Sequence, residues 1–300
     1  MTLMLIDSAS LWYRAYYGMP DSFFAQDQTP VNAVRGFVDS LSRLVAQYKP
    51  DRLVACIEGD WRPQWRVDLF PGYKANRLEV EGEEEEEPET LTPQIPIILD
   101  VLDAFGISVV GADDYEADDV IASYAKREKG PIRIVTGDRD LFQLIDEKRD
   151  IKVVYLAKGI ANHDLVDFSY VEKRYDIPGD RYALFATLRG DPSDGLPGVR
   201  GIGEKGAAAI ARSFERVEDV IAAAQAGDAR LTSSHSKKIL ADIDYLSIAP
   251  ILVKCADDVP LPKISTSIPK APSDFSHLYA LKERFNLGAT VDRLISSFAW

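Results

Sequence analysis

Residues 113–141, DDYEADDVIASYAKREKGPIRIVTGDRDL, decide how this chain is read. They set Glu116, Asp118 and Asp119 at the start of a helix, continue into the apolar strand PIRIVT, and place Asp138 and Asp140 just beyond it. At roughly 100° per helical residue, Glu116 and Asp119 share a face and Asp118 points to the side. Acids in a first helical turn are ordinary, because they favour the positive end of the helix. The second half shifts the balance. Asp138 follows the carboxyl end of a buried strand, where open α/β sheets place ligands. Five carboxylates converging there would repel one another unless something cationic sat among them.

Working outward, LMLI (3–6) ends at Asp7 and RLVACI (52–57) ends at Glu58. Three apolar strands, with 132–136, thus each deliver an acid at or just past the carboxyl end. GISVVGA (106–112) is a further strand, and IKVVYLAKG is extended and suited to an edge hairpin. Val34, Phe37, Val38, Leu41, Leu44 and Val45 carry helical periodicity, and residues 93–105 resume as a helix. This alternation predicts an α/β fold with a mostly parallel central sheet flanked by helices. Residues 164–176 and 180–189 are predicted helices, the chain beyond 215 is mostly helical, and 257–273 is Pro-rich and linker-like before a final helical region from about 274.

Two further stretches carry chemistry. Between 59 and 92, Trp61, Arg62, Trp65 and Arg66 precede PGYKANR, which presents Tyr73, Lys74 and Arg77 beyond a Pro-Gly turn. Such a set suits phosphate binding and base stacking, and equally suits a solvated helix face. Residues 188–214, LRGDPSDGLPGVRGIGEKGAAAIARSF, place Asp191 and Asp194 just before a glycine hairpin that leads into an alanine-rich helix. Glycines there let backbone N–H groups approach a phosphate, and Arg200 and Lys205 flank the turn.

Composition bounds the rest. A hydrophobic content of 46% and a charged content of 28% describe an ordinary globular chain. No apolar run approaches the roughly 18 residues of a membrane span. The opening segment meets Asp7 early and has no basic lead, unlike a secretory signal. Cys56 and Cys255 lie far apart with no zinc spacing, which predicts a reduced cytoplasmic setting. The formal charge of −13 opposes a nucleic-acid partner only superficially. Setting aside the eight glutamates of 79–89, EVEGEEEEEPE, leaves −5, and setting aside the nine acids named below leaves +4. The glutamate run itself is low-complexity and predicted to be mobile.

In order along nearly the whole chain, LIDSASLWYRAYY, PGYKANR, DYEADDVIASYA, IVTGDRDLFQL and GDPSDGLPGVRGIGEKGAAAI resemble the 5′-nuclease (flap endonuclease) family. The nearest resemblance is to the N-terminal nuclease domain of bacterial DNA polymerase I and its stand-alone relatives. It implies an α/β nuclease (PIN-like) core over 1–175, with an arch region at about 61–95. It also implies a helical DNA-binding part over 176–300, with a helix-hairpin-helix element at about 180–214. By resemblance the metal ligands are Asp7, Glu116, Asp118, Asp119, Asp138, Asp140, Asp191 and Asp194. Lys74 and Arg77 match arch-base residues that contact the reacting phosphate, and Tyr73 matches a base-stacking position. Arg200, Gly201, Gly203 and Lys205 match the hairpin that grips duplex DNA, with a bridging potassium ion.

Two departures stand out. The family usually has aspartate at the end of the second strand. Here Glu58 stands there, with Asp60 as its rival for a ninth ligand. The acidic segment 79–89 lies where basic residues often meet single-stranded DNA, which puts threading of a flap in question. All-oxygen ligands suit Mg²⁺ or Mn²⁺ rather than zinc. Two such ions about 4 Å apart stabilise both the attacking and the leaving oxygens of a displacement. The implied function is a structure-specific, divalent-metal-dependent 5′-3′ deoxyribonuclease of DNA replication and repair. It would act as a monomer at flaps, gaps, nicks or ends, nucleoid-associated and away from membranes. The competing readings are an RNA-directed nuclease on the same fold and a non-catalytic junction-binding module.

Overall fold

The runs marked as strands hydrogen-bond into one sheet in the computed structural model, which describes residues 1–77 and 88–298. Its strands are β1 (Leu3–Asp7), β2 (Arg52–Cys56), β3 (Ser108–Val110), β4 (Ile132–Thr136), β5 (Ile151–Tyr155) and β6 (Asp164–Val166), in the order β3-β2-β1-β4-β5-β6. Every neighbouring pair is parallel except β5 with β6, which closes one edge antiparallel. The chain leaves β1 to one side through β2 and β3, then crosses to its other side with β4. That reversal opens a crevice beyond the carboxyl ends of β1 and β4. Asp7 ends β1 and Asp138 follows β4, so both stand at the crevice.

The helices are α1 (Ser8–Gly18), α2 (Asn32–Tyr48), α3 (Gln64–Leu69), α4 (Ile95–Phe105), α5 (Ala117–Arg127), α6 (Phe168–Tyr175), α7 (Tyr182–Arg189), α8 (Glu204–Ala211), α9 (Val217–Ala226), α10 (Ser233–Ala241), α11 (Ile243–Val253), α12 (Phe275–Arg284) and α13 (Thr290–Ser297). Side chains alternate across a strand. Met4, Ile6, Leu53, Ala55 and Val135 therefore share a core with α1, α2, α4, α12 and α13, while Leu3, Leu5, Val54, Ile132 and Ile134 face α5, α7 and α8. With both faces covered, the strands read as unbroken apolar runs. Helix α2 buries Val34, Phe37, Val38, Leu41, Leu44 and Val45, the residues whose spacing predicted it. Each such side chain contributes about 1.5–3 kcal/mol on burial. The helix stops where Lys49 turns left-handed, with φ 43°, before Pro50. The helical part is continuous with the sheet's second core through a ring cluster of Phe142, Tyr175, Tyr182 and Phe185.

Two expectations need correction. Residues 164–166 are the edge strand β6, not the start of a helix. The helix begins at Phe168, capped by the Asp167 side chain, which accepts from the Tyr170 N–H. The Pro-rich stretch 257–273 is not a free linker but a strap along the sheet. Leu53 N–H donates to the Thr266 carbonyl (2.8 Å), the Ser108 hydroxyl to the Ser265 carbonyl (2.7 Å), and Asp274 N–H to the Ala104 carbonyl (2.9 Å). The glutamates of 79–87, predicted to be mobile, lie outside the described residues. Among the described residues no helix is long and apolar enough to cross a membrane.

Candidate active site

Asp7 is both the last residue of β1 and the N-cap of α1. Its carboxylate accepts from Ser10 N–H (3.1 Å), the Ser10 hydroxyl (2.5 Å) and the Thr136 hydroxyl (2.6 Å). Thr136 Oγ1 in turn accepts from Asp138 N–H (2.8 Å), and Asp138 Oδ1 from Asp140 N–H (2.8 Å). A chain of hydrogen bonds therefore fixes the acids of two adjacent strands relative to each other. Thr136 and Ser10 carry this positioning, and the sequence reading passed over both. Thr136, two residues before Asp138, was visible as the start of TGDRD.

Helix α5 begins at Ala117 with Glu116 as its N-cap. Glu116 and Asp119 share a face, as predicted, and that face meets Arg66 of α3. Arg66 donates to both Asp119 oxygens (2.8 and 2.7 Å) and to Glu116 Oε1 (3.0 Å), with its own side chain buried. Asp119 also accepts from Ala256 N–H (2.7 Å) and Glu116 N–H (3.2 Å). Both its oxygens are thus engaged and it is fully buried, so Asp119 also anchors the start of α5 to α3 through Arg66. Asp118 points away, toward Asp138 and Asp7.

The arch base differs from its sequence reading. Tyr73 is only 2% exposed and its hydroxyl donates to Glu116 (2.7 Å), so it cannot stack on a base. Arg66 is equally buried, and Trp65 packs on its guanidinium while donating to the Asp114 carbonyl. Arg62 holds the turn by donating to the Tyr73 and Pro71 carbonyls (2.6 and 2.9 Å). Arg62, Trp65 and Arg66 are therefore scaffold rather than a phosphate and stacking surface, while Trp61 stands 37% exposed. Lys74 Nζ donates to Glu116 Oε2 (2.5 Å), and Arg77 Nη2 to Asp194 Oδ1 (3.1 Å). Between the two candidates after β2, Asp60 accepts from Arg62 N–H within its own turn (2.8 Å). Glu58 instead shares the field of Asp7 and Glu116.

Electrostatics mark the rest. Burial, then the neighbouring charges of Asp138, Asp7 and Glu116, push the Asp118 carboxyl well above its ordinary range. Burial and the charges of Asp138, Asp194 and Asp191 do the same to Asp140. Asp138 is raised by burial and by Asp7 and Asp191, against the pull of its bond from Asp140. Asp191 caps the turn 192–194, accepting from Ser193 N–H (2.9 Å). Desolvation raises Glu58 from 4.5 to about 7 and Asp194 from 3.8 to about 6, although Lys74 opposes both. In ion-free buffer the folded chain therefore binds more protons than the unfolded chain between these ordinary and raised values. Its stability is expected to fall as pH rises through about 4 to 7. Melts in EDTA at about pH 5 and pH 7 check the sign, and a higher melting temperature at pH 7 would contradict it.

Among the described residues, no three acidic, histidine or cysteine side chains form a ready-made ion cage. The donor set nevertheless fits a hard divalent cation. It is all carboxylate oxygen, and its members destabilise one another in a way that a cation would relieve. Asp7, Asp118, Asp138 and Asp140, with Glu58, Glu116, Asp191 and Asp194, are the residues able to hold one. Beside them opens a cleft of about 960 Å³ lined by Arg14, Arg43, Arg139, Tyr17, Asp138 and Asp191. Arg43 carried no sequence signal, because isolated arginines are everywhere on helical faces, and Arg139 stood unremarked between the two acids of GDRD.

The glycine hairpin joins α7 to α8. A Cβ at Gly198, whose φ is +64°, would meet the Arg189 carbonyl carbon at 2.5 Å, so only glycine lets the two strands of the turn touch. Arg200 is 90% exposed at its side chain, Lys205 is exposed, and Lys238 of α10 donates to the Gly201 carbonyl (2.7 Å). Gly203, the N-cap of α8, has an ordinary φ of −87° and open space around it. Gly203→Val is therefore expected to lower the melting temperature only slightly, through the poorer capping of valine, while lowering affinity for a duplex-containing junction. The loss in affinity should exceed the loss in single-turnover rate at saturating DNA. Unchanged binding would make the hairpin purely structural.

Comparison with known proteins meets the same fold. The signature described as 5′-3′ exonuclease, N-terminal resolvase-like domain, matches residues 2–176, and that described as 5′-3′ exonuclease, C-terminal SAM fold, matches 177–274. This chain belongs to the 5′-3′ exonuclease family. It is 50% identical over 298 residues to a Streptomyces coelicolor 5′-3′ exonuclease, covering 98% of this chain and 99% of that one. It is 42% identical over 306 residues to a Mycobacterium tuberculosis 5′-3′ exonuclease, covering 97% and 96%. Against Mycobacterium bovis DNA polymerase I the identity is 31% over 302 residues, covering 99% of this chain but 32% of the polymerase. Among solved structures, the bacteriophage T5 D15 protein co-crystallised with metal ions superposes with a TM-score of 0.65 at 19% identity, covering 99% and 97%. The catalytic core of Rad2 in complex with DNA substrate superposes with a TM-score of 0.57 at 16% identity, covering 98% and 91%.

Proposed function

We propose that this chain is a divalent-metal-dependent 5′-3′ deoxyribonuclease that hydrolyses phosphodiesters at single-strand/duplex junctions of DNA, as in replication and repair. The observation that carries the reading is the convergence of mutually destabilised carboxylates from β1, α5, the β4 loop and the 191–194 turn at the sheet's switch point, next to the glycine hairpin. The relatives' names and the metal and DNA recorded for T5 D15 and Rad2 support the same chemistry.

In this reading the acids hold Mg²⁺ or Mn²⁺. When bound, such ions activate water and stabilise negative charge on the departing oxygen. The chain's own residues do the remainder. The hairpin's backbone N–H groups, Arg200 and Lys205 hold the duplex phosphates, and a potassium ion fits the same turn. Thr136 and Ser10 keep the Asp7 carboxylate aimed into the crevice. Lys74 and Arg77 stabilise charge developing on the scissile phosphate. Arg14, Arg43 and Arg139 draw the strand into the cleft beside Asp138.

A panel of labelled flap, gap, nick and blunt-end substrates, with matched RNA junctions, tests this directly. Cleavage of DNA junctions in Mg²⁺ or Mn²⁺ that EDTA stops is the expected result. Cleavage only of RNA, or binding without cleavage in any divalent ion, would overturn it.

A further inference from the structure

Both basic residues assigned to the substrate phosphate are bonded to acids of the cluster. Lys74 Nζ sits 2.5 Å from Glu116 Oε2 and 3.1 Å from the Trp61 carbonyl, with only 5% of the residue exposed. Arg77 Nη2 sits 3.1 Å from Asp194 Oδ1. One cation thus faces an acid of the α5 end of the cluster, and the other an acid of the 191–194 turn.

The two are not independent surface pairs. They lie on one short segment that is clasped to the acid-bearing turn by its backbone. Lys74 N–H donates to the Asp194 carbonyl (2.9 Å), and the Asn76 side chain donates to the Pro192 and Ser193 carbonyls (3.1 and 3.3 Å). Gly195, with φ +69°, comes so near that a Cβ there would lie 2.3 Å from the Gly72 carbonyl oxygen. Lys74 itself has φ +50°, a conformation that residues with a side chain adopt rarely and that persists where the surroundings enforce it. The clasp delivers the two side chains to neighbouring acids of one cluster, since Glu116, Lys74 and Arg77 all act on Asp194.

An ammonium or guanidinium bonded to a carboxylate oxygen competes with a divalent ion for the same negative charge. Lys74, buried against Glu116, is withheld from a phosphate in solvent, and Arg77 has part of its guanidinium committed to Asp194. Given the reading that the acids hold divalent ions, on which this rests, the geometry points to an exchange. We infer that Lys74 and Arg77 are the site's internal counterions: without divalent ions they occupy cation positions at Glu116 and Asp194, and ion binding releases them toward the substrate phosphate. Loading would then create the ion site and free the phosphate-binding cations in one event. An enzyme without its ions would hold DNA through the hairpin while lacking its grip on the scissile phosphate.

The test uses the full chain and Ca²⁺ without DNA. Calorimetry first measures Ca²⁺ binding by the unaltered protein. Lysines are then reductively methylated in EDTA and in saturating Ca²⁺, and modification of Lys74 is followed by peptide mass spectrometry. Protection in EDTA and about tenfold faster modification in Ca²⁺ is expected, because an ion at Glu116 displaces the ammonium. Lys74→Met and Arg77→Gln should each bind Ca²⁺ roughly tenfold more tightly, having lost a competing charge. Arg77 is a third exposed at its side chain, so Arg77→Gln and the methylation still decide the matter should Lys74→Met fail to fold. Equal Lys74 reactivity in both buffers, or weaker Ca²⁺ binding by the variants, overturns the exchange and leaves the metal site standing. No Ca²⁺ binding by the unaltered protein overturns the metal site and the exchange together.

Discussion

Asp118→Ala is expected to slow junction cleavage by at least about a hundredfold while raising the melting temperature in EDTA by about 2–4 °C. The two effects share one cause. Asp118 is held near Asp138, Asp7 and Glu116, and burial together with their charges makes its ionised form costly in the ion-free protein. Alanine removes that cost, of the order of 0.5–2 kcal/mol, along with an oxygen donor that nothing else supplies on this side of α5. Asp138→Ala should behave alike, since it faces Asp118 and Asp7 and has Asp191 besides. Cleavage rates with saturating Mn²⁺ and thermal melts in EDTA check both halves. Near-normal cleavage by both variants would refute the assignment of these carboxylates to the ion site.

The second large effect falls on a residue outside the chemistry. Arg66→Met is expected to destabilise the fold by about 3–5 kcal/mol, because it leaves Asp119 buried with no cation and strips one partner from Glu116. Denaturant unfolding measures it. Adding Asp119→Asn to Arg66→Met should recover a large part of the loss, since the uncompensated charge goes with it. A loss below about 1 kcal/mol would mean that the pairing behaves like an exposed salt bridge.

The contrast between these two residues shows what the sequence could and could not reveal. Asp7, Asp118 and Asp138 were legible because strand ends and helix starts are local features, and a sheet with a switch point gathers them at one crevice. The partner of Asp119 was not legible. An acid in a helical first turn looks the same whether it meets water, a metal ion or an arginine 53 residues earlier in the chain. Tyr73 misled for a related reason. A Pro-Gly turn ordinarily signals exposure, yet the turn here folds its tyrosine inward onto a buried glutamate. The strap at 257–273 was hidden by its prolines, which removed the look of a strand. Its bonds to the sheet side run both ways, with carbonyls accepting at Ser265 and Thr266 and N–H groups donating at Val259, Ile268 and Ser273, none of them a proline. The strand 164–166 was too short for alternation to register.

The strap also sets an order on how the molecule comes into being. The apolar face built by α2 and α4 is roofed by Leu278, Leu281, Leu287, Val291, Leu294 and Phe298, residues that emerge from the ribosome after everything they cover. Until then Phe37, Leu41, Val101 and Phe105 have no lid, and the sheet edge at β2 has no strap. Synthesis of the first half therefore yields an α/β unit with a bare hydrophobic side, a species prone to wrong association. The contact of Phe298 on Phe105, 4.5 Å between ring centres, joins parts of the chain made far apart in time.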